Sequence, residues 1–183
     1  MRAEGFTLVE LLVSLAVVGL VLAGTFSLLQ QGQQAYLTGV AQIEAQQSAR
    51  IALERMAREI QGAGFDPTGA GFPAIASPTP TSLTIQKDLN RNGVIDGPGE
   101  RITYLLRNST LRRNAGGGAQ PVVEGVGSLT FTYLDADGVP TTDPDQIRAV
   151  KIALVVRPTP LWRTPVARAL AVTMATQIRL RNR

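Results

Sequence analysis

The chain has 183 residues, 44% of them hydrophobic, and a formal net charge of +4. It contains no histidine and no cysteine, which excludes zinc sites built on those side chains, Ser-His-Asp and Cys-His catalysis, and disulfide bonds. The length suits one domain with a modest core and one long additional element.

An apolar segment follows the short polar N-terminus. Residues 6–29 carry a single charge, that of Glu10, and as a helix they would measure roughly 36 Å. A bilayer core needs about 20 apolar residues, so the segment predicts a transmembrane helix, and Arg2 places its N-terminal side in the cytoplasm. The alternative is a cleaved secretory signal peptide, but its apolar region is usually about 7–15 residues long, and Ala23-Gly24-Thr25 is a weak cleavage site.

Glu10 is the unusual residue of this segment, because a carboxylate in an apolar span is costly. One interpretation is that its side chain reaches the lipid headgroups. In the other, it pairs with an amine. Cleavage after Gly5 would leave an amine on Phe6, one helical turn before Glu10, and in an apolar bundle Glu10 could meet the amine of a neighbouring chain. A helix N-terminus also favours an anion.

The segment Gly-Phe-Thr-Leu-Val-Glu-Leu-Leu-Val at residues 5–13 resembles the type III signal of type IV pilins and of type II secretion pseudopilins. The resemblance implies that a prepilin peptidase cuts after Gly5 and methylates Phe6, and that Glu10 is needed for efficient assembly. It also implies a single-pass inner-membrane precursor with a cytoplasmic N-terminus. An assembly platform in that membrane would then move it into a pilus with other major and minor pilins. A plain signal anchor is the alternative.

Helical character continues after the apolar segment. Residues 30–61 contain no proline and are rich in good helix formers, and Gly62-Ala63-Gly64-Phe65-Asp66-Pro67 ends the pattern. The apolar stripe predicted to face the core consists of Ala49, Leu53, Met56 and Ile60. Two i,i+4 pairs of opposite charge are expected on the solvent-exposed side: Glu54 with Arg58, and Arg55 with Glu59.

From residue 82 onward, apolar side chains recur with a period of two, which predicts an antiparallel sheet with one face buried against the helix. The fold class is therefore α+β, and the resemblance to pilins likewise implies a long N-terminal helix packed on an antiparallel sheet. The predicted organisation is a leader at 1–5, a transmembrane and assembly helix at 6–29, and a soluble domain at 30–183. That domain divides into helix at 30–61, loop at 62–81 and sheet at 82–183. Within the sheet region, the proline-rich residues 157–168 are expected to form a loop.

Three further segments, residues 50–71, 131–138 and 178–182, resemble PilW-type minor pilins. This resemblance implies a subunit that is incorporated in the pilus or primes its assembly, for adhesion, motility or DNA uptake, and that is not an enzyme. A pseudopilin of a type II secretion system is the alternative within the same fold. A membrane-anchored periplasmic enzyme or binding protein would need a convergent polar site, and no spacing in the sequence indicates one.

Residues 88–100 have the spacing of a calcium-binding loop, although no cofactor is required by the rest of the sequence. Hard oxygen ligands at alternating positions suit Ca²⁺, and Gly93 stands where an EF-hand loop turns sharply. The predicted ligands are Asp88, Asn90, Asn92, the carbonyl of Val94, Asp96 and Glu100. Glu100 falls one residue beyond the usual closing position, and Asn, Asp and Gly are also ordinary hairpin residues, so a plain turn remains the alternative.

The arginines are candidates for contacts with nucleic acid. Arg112 and Arg113, together with Arg179, Arg181 and Arg183, could contact phosphates. No aromatic residues alternate with them, so a stacking platform is not indicated, and we do not expect nucleic acid as a partner.

Overall fold

The computed structural model describes residue 5, residues 7–157 and residues 171–182. The leader residues 1–4, Phe6 and most of the predicted proline-rich loop at 157–168 lie outside the described residues. The chain divides into two compact units, Met1–Val40 and Ala41–Arg183.

One helix, α1, runs from Leu8 to Gln61, as the apolar segment and the proline-free stretch after it predict. In the first unit, every described residue from 7 to 36 is exposed. The helix is long and apolar enough to cross a membrane, with a mean hydropathy of 2.4 over its most apolar 18 residues. The described residues of this unit give them no apolar surroundings, so they require lipid or neighbouring helices.

In the second unit, the last turns of α1 belong to the core. Its buried residues are Ala45, Ala49, Ala52, Leu53, Met56 and Ile60, which confirms the predicted stripe and adds two alanines to it. The helix ends at the predicted glycines, where Gly64 adopts a φ of 73°, a left-handed conformation that glycine reaches without steric cost.

In the described residues, seven antiparallel strands follow, in two sheets rather than the single sheet expected from the sequence. The first sheet has the order β1-β2-β3-β4 and the second β5-β6-β7. The strands of the first are β1 (Ser82–Gln86), β2 (Arg101–Arg107), β3 (Thr110–Asn114) and β4 (Ala119–Val123). Those of the second are β5 (Val126–Leu134), β6 (Ala149–Val156) and β7 (Val172–Arg179).

The first sheet ends at β4 for a local reason. Pro121 cannot donate to a further ladder, and the pairing of β3 with β4 shifts register between Leu111 and Arg112. The chain then leaves β4 at Val123 and begins β5 at Val126, which pairs with β6. Proteins commonly use short edge strands with bulges and prolines to prevent a sheet from pairing with a further strand.

Both sheets contribute to one core with the last turns of α1. Cross-strand partners such as Ile85 with Ile102, and Phe131 with Ile152, share a face and are almost fully buried. The alternation predicted from residue 82 onward is confirmed in β5 and β6. In β1 the polar Gln86 is buried as well, and Leu106 in β2 is only partly buried. Between α1 and β1, Ala74 and Ala76 hydrogen-bond to the outer edge of β1.

Candidate functional site

The start of α1 contains a capping box formed by Thr7 and Glu10. The Glu10 carboxylate accepts hydrogen bonds from the Thr7 backbone N–H at 3.1 Å and from its hydroxyl at 2.9 Å. In return, the Glu10 backbone N–H donates to the Thr7 hydroxyl at 3.3 Å. Reciprocal bonds of this kind satisfy two N–H groups that have no partner in the first helical turn.

The capping box gives Glu10 an intrachain partner that the sequence reading did not consider. Neither the headgroup interpretation nor pairing with a neighbour's amine included Thr7. The signal was present, since threonine followed three residues later by glutamate before an apolar run is a recognised helix start. Pairing between Glu10 and the amine of a neighbouring chain stays a prediction.

Gly5 lies exposed at the N-terminal side of this cap. A Cβ placed on Gly5 would have no atom of a described residue within 4 Å, its chain neighbours aside. Phe6, the other residue of the predicted cleavage site, lies outside the described residues. Cleavage between Gly5 and Phe6 stays a prediction.

A polar cluster around Glu59 connects α1 with β2 and β3. The Glu59 carboxylate accepts hydrogen bonds from the Tyr104 hydroxyl at 2.7 Å and from Nε of Arg113 at 2.9 Å. Nη2 of Arg113 forms a salt bridge with the same carboxylate at 2.9 Å. The side chains of Glu59 and Arg113 are only 16% and 19% exposed. Burial, followed by the bond to Glu59, raises the pKa of Tyr104 above its usual range. For Arg113, burial acts to lower the pKa, but the bonds to Glu59 raise it overall.

This cluster corrects two expectations from the sequence. Glu59 is not in an ordinary solvent-exposed pair: Arg55 lies 3.6 Å from it, but its closest partners come from the sheet. Arg113 is not available for phosphate, because its guanidinium is held by that carboxylate. Glu54 also differs from the prediction, since it pairs with Arg50 at 3.0 Å.

The predicted calcium loop is closed by its own backbone. Asp88 is fully buried, and its carboxylate accepts the N–H groups of Arg91 at 2.7 Å, Asn92 at 3.2 Å and Gly93 at 3.0 Å. The amide oxygens of Asn90 and Asn92 likewise accept N–H groups from two residues further along. These are turn-forming bonds of the kind that Asn and Asp commonly make.

Glu100 closes the other side of the same loop. It is 1% exposed, and its carboxylate accepts four N–H groups, those of Leu89 and Asn90 at 3.0 Å, Asp96 at 3.1 Å and Gly97 at 2.7 Å. These bonds, those of Asn90 and Gly97 foremost, hold the pKa of Glu100 below its usual range. A Cβ at Gly97 would lie 2.9 Å from the carboxylate carbon, so glycine permits this close approach.

The donor set of the loop does not fit Ca²⁺ as it stands. Six to eight oxygens must converge on this cation, whereas the oxygens of Asp88 and Glu100 converge on N–H groups. In the parts of the chain that the structure describes, no group of three or more His, Cys, Asp or Glu side chains could hold a metal ion. Calcium binding stays a prediction, and it would require these carboxylates to exchange N–H partners for the cation.

The N-terminal site has a counterpart in a known family model. The model for the prokaryotic N-terminal methylation motif matches residues 1–26, which include Gly5, the capping box and most of the exposed apolar helix. A search of curated proteins finds no significant match to the chain. A single apolar N-terminal helix joined to this motif fits membrane anchoring. The first 26 residues of this chain are therefore a type IV pilin-like prepilin signal.

Proposed function

We propose that this protein is a minor pilin of a type IV pilus. A prepilin peptidase cleaves the precursor after Gly5 and methylates Phe6, and α1 holds the protein in the inner membrane with its N-terminus in the cytoplasm until it is incorporated. The observation that carries the proposal is the methylation motif at residues 1–26, which coincides with the exposed apolar part of α1.

The exposure of α1 supports an assembly role. Large apolar side chains from Leu8 to Leu29 are at least half exposed along the helix, with values such as 76% for Leu8 and 71% for Leu29. In lipid such a surface is stable, and association then depends on close packing between helices. Gly19 and Gly24 have open space around them, so a neighbouring helix can approach closely at these positions.

The three segments that resemble PilW-type minor pilins meet in the second unit. Residues 50–71 and 178–182 are joined where the Asn182 side chain donates to the carbonyl of Ala63 at 3.1 Å. Arg148 links the other pair, because its N–H donates to the carbonyl of Leu134 at 2.8 Å and its carbonyl accepts the N–H of Leu180 at 2.9 Å. Their proximity supports a common structural role, and their resemblance to PilW-type minor pilins is what favours the minor pilin over a type II secretion pseudopilin.

A structural role also agrees with the polar clusters of the second unit. The carboxylates of Glu59, Asp88 and Glu100 are each engaged by the protein's own N–H, hydroxyl or guanidinium groups. Catalytic acids and bases need a side chain that can reach a substrate. We therefore propose an assembly protein, with a membrane-anchored periplasmic binding protein as the less favoured alternative.

Mass spectrometry of the protein recovered from sheared pili and from membranes tests the proposal. We expect the pilus-associated form to begin at Phe6 with a methylated amine, and Gly5→Val to leave the full-length precursor in the membrane. A mature start near residue 25, or cleavage that does not require prepilin peptidase, would contradict the prepilin interpretation.

Deleting the gene separates the pilus from the secretion pseudopilus. A minor pilin should leave type II secretion intact and reduce the number of pili. A secretion defect with normal pili would instead establish the pseudopilin alternative.

A further inference from the structure

A basic groove lies at the C-terminal end of α1, entirely within the second unit. Its volume is about 570 Å³, inside the range of about 300–1,000 Å³ common for ligand sites. The residues used in the argument below are Arg58, Phe65, Lys87, Leu89, Arg181 and Asn182.

Backbone hydrogen bonds bring the three walls of this groove together. The N–H of Gly64, just after α1, donates to the carbonyl of Gln86 at 2.8 Å, and the N–H of Asp88 donates to the carbonyl of Phe65 at 2.8 Å. The Asn182 side chain fixes the C-terminal wall by donating to the carbonyl of Ala63. The groove is therefore preformed by the fold from three distant parts of the chain.

Three cations line this space. In the described ranges, none of Arg58, Lys87 and Arg181 forms a salt bridge. The carboxylates of Asp66, Asp88 and Glu100 are near in sequence to the groove residues, but backbone N–H groups hold their oxygens. The partial negative charge at the end of α1 partly offsets the repulsion between the cations, and an anion bound in the groove would offset it further.

Apolar surface accompanies these charges. Phe65 is 38% exposed and Leu89 is 50% exposed, so a ligand that combines carboxylates with an apolar side chain would use both features. Sequence-tolerant binding of single-stranded nucleic acid relies on several aromatic platforms along an extended basic track. This groove has one aromatic residue among its lining residues, which favours a peptide.

We propose that this groove binds an acidic peptide segment that carries at least one apolar side chain, presented by another protein. The three cations contact its carboxylates, and Phe65 and Leu89 contact the apolar side chain. The inference rests on the second unit alone and does not depend on the pilus assignment.

The test measures fluorescence anisotropy with the full chain in zwitterionic detergent micelles. The probe is a labelled hexapeptide of glutamate and leucine, compared with the same peptide containing glutamine in place of glutamate. We expect the acidic peptide to bind more tightly. Combining Arg58→Gln, Lys87→Gln and Arg181→Gln should weaken its binding about tenfold, because three exposed ion pairs of modest strength are lost together.

A matched control variant combines Arg50→Gln, Arg107→Gln and Lys151→Gln, which removes the same charge from positions outside the groove. It should bind the acidic peptide as the unmodified chain does. Equal weakening in both triple variants would reduce the effect to net charge and overturn the proposal. Undetectable peptide binding, or tighter groove-dependent binding of an oligothymidylate, would also overturn it. Circular dichroism checks that both triple variants remain folded. Leu89→Gln keeps every cation of the groove, and it should still weaken peptide binding because it removes the apolar contact.

Discussion

Replacing Thr7 by alanine removes the hydroxyl that caps α1 but leaves the Glu10 carboxylate charged. Replacing Glu10 by glutamine has the opposite effect, because glutamine can also occupy that position of a capping box. The pair of variants therefore separates two roles for Glu10. If it serves the helix cap alone, Thr7→Ala is the more harmful change. If its charge pairs with a neighbour's amine, Glu10→Gln is the more harmful.

The magnitude follows from the bonds that each variant loses. Thr7→Ala removes the contacts at 2.9 and 3.3 Å made by the hydroxyl, while the contact from the backbone N–H at 3.1 Å can persist. Loss of an N-cap costs about 1 kcal/mol, which lowers the population of the ordered first turn about fivefold relative to the frayed one. An amine left unpaired in an apolar bundle costs more than an exposed cap, so Glu10→Gln should lower incorporation more than about tenfold.

Quantitative immunoblotting of sheared pili against the membrane fraction measures this difference. Thr7→Ser is the matched control, because serine keeps the capping hydroxyl. All variants should be cleaved after Gly5 and inserted equally, which mass spectrometry and membrane fractionation check. Incorporation of Glu10→Gln at the level of the unmodified chain would refute pairing with a neighbour, and a larger loss for Thr7→Ala would assign Glu10 to the cap.

Three further predictions concern the second unit. Glu59→Ala should destabilise the second unit by about 2–4 kcal/mol in urea unfolding, because the variant leaves partly buried donors without their acceptor. Glu54→Ala, which breaks an exposed pair, should cost less than about 0.5 kcal/mol. Equal losses of stability in the two variants would contradict the burial argument. Backbone hydrogen bonds lower the pKa of Glu100 in the folded state below the ordinary value of 4.5. The ionised carboxylate therefore stabilises the fold fully above pH 4.5, and this stabilisation is lost as the pH falls through the lowered pKa. Glu100→Gln should therefore lower the thermal midpoint at pH 7, with a difference that shrinks on acidification below 4.5, and a constant difference would refute this account. If calcium binds, millimolar titration calorimetry should show heat that Asp88→Asn abolishes, and no heat in the unmodified chain would leave the loop closed by its own N–H groups.

Local sequence signals predicted most of the fold. The boundaries of α1 follow from hydropathy, the absence of proline and the glycines at 62 and 64, each of which acts within a few residues. The alternating patterns of β5 and β6 were clear because one face is buried. β3 and β4 gave no such pattern, since they are short, mostly polar or interrupted by Pro121, and only one residue of each is buried. Because the first sheet ends with β3 and β4, the sequence did not reveal where one sheet ends and the second begins.

The candidate site residues differ in the same way. Gly5, Phe6 and Glu10 were predicted from one contiguous signal, and the threonine-to-glutamate spacing would have indicated the Thr7 cap as well. The partners of Glu59 come from 45 and 54 residues further along the chain. No local spacing distinguishes Arg113 from the other arginines, so the sequence assigned Glu59 to its nearest i,i+4 neighbour.

The loop at residues 88–100 shows why a ligand pattern can have two meanings. Cation binding and backbone capping both need carboxylate oxygens at close spacing, so both select Asp, Asn and Gly at similar positions. In a cation site the oxygens converge on the metal ion, whereas in a backbone cap they converge on N–H groups. Here Glu100 stands one residue late, and Gly97 lets its carboxylate approach the N–H groups of Asp96 and Gly97. The N–H groups then supply the positive charge that a cation would provide, which accounts for a buried, ionised Glu100 without a metal.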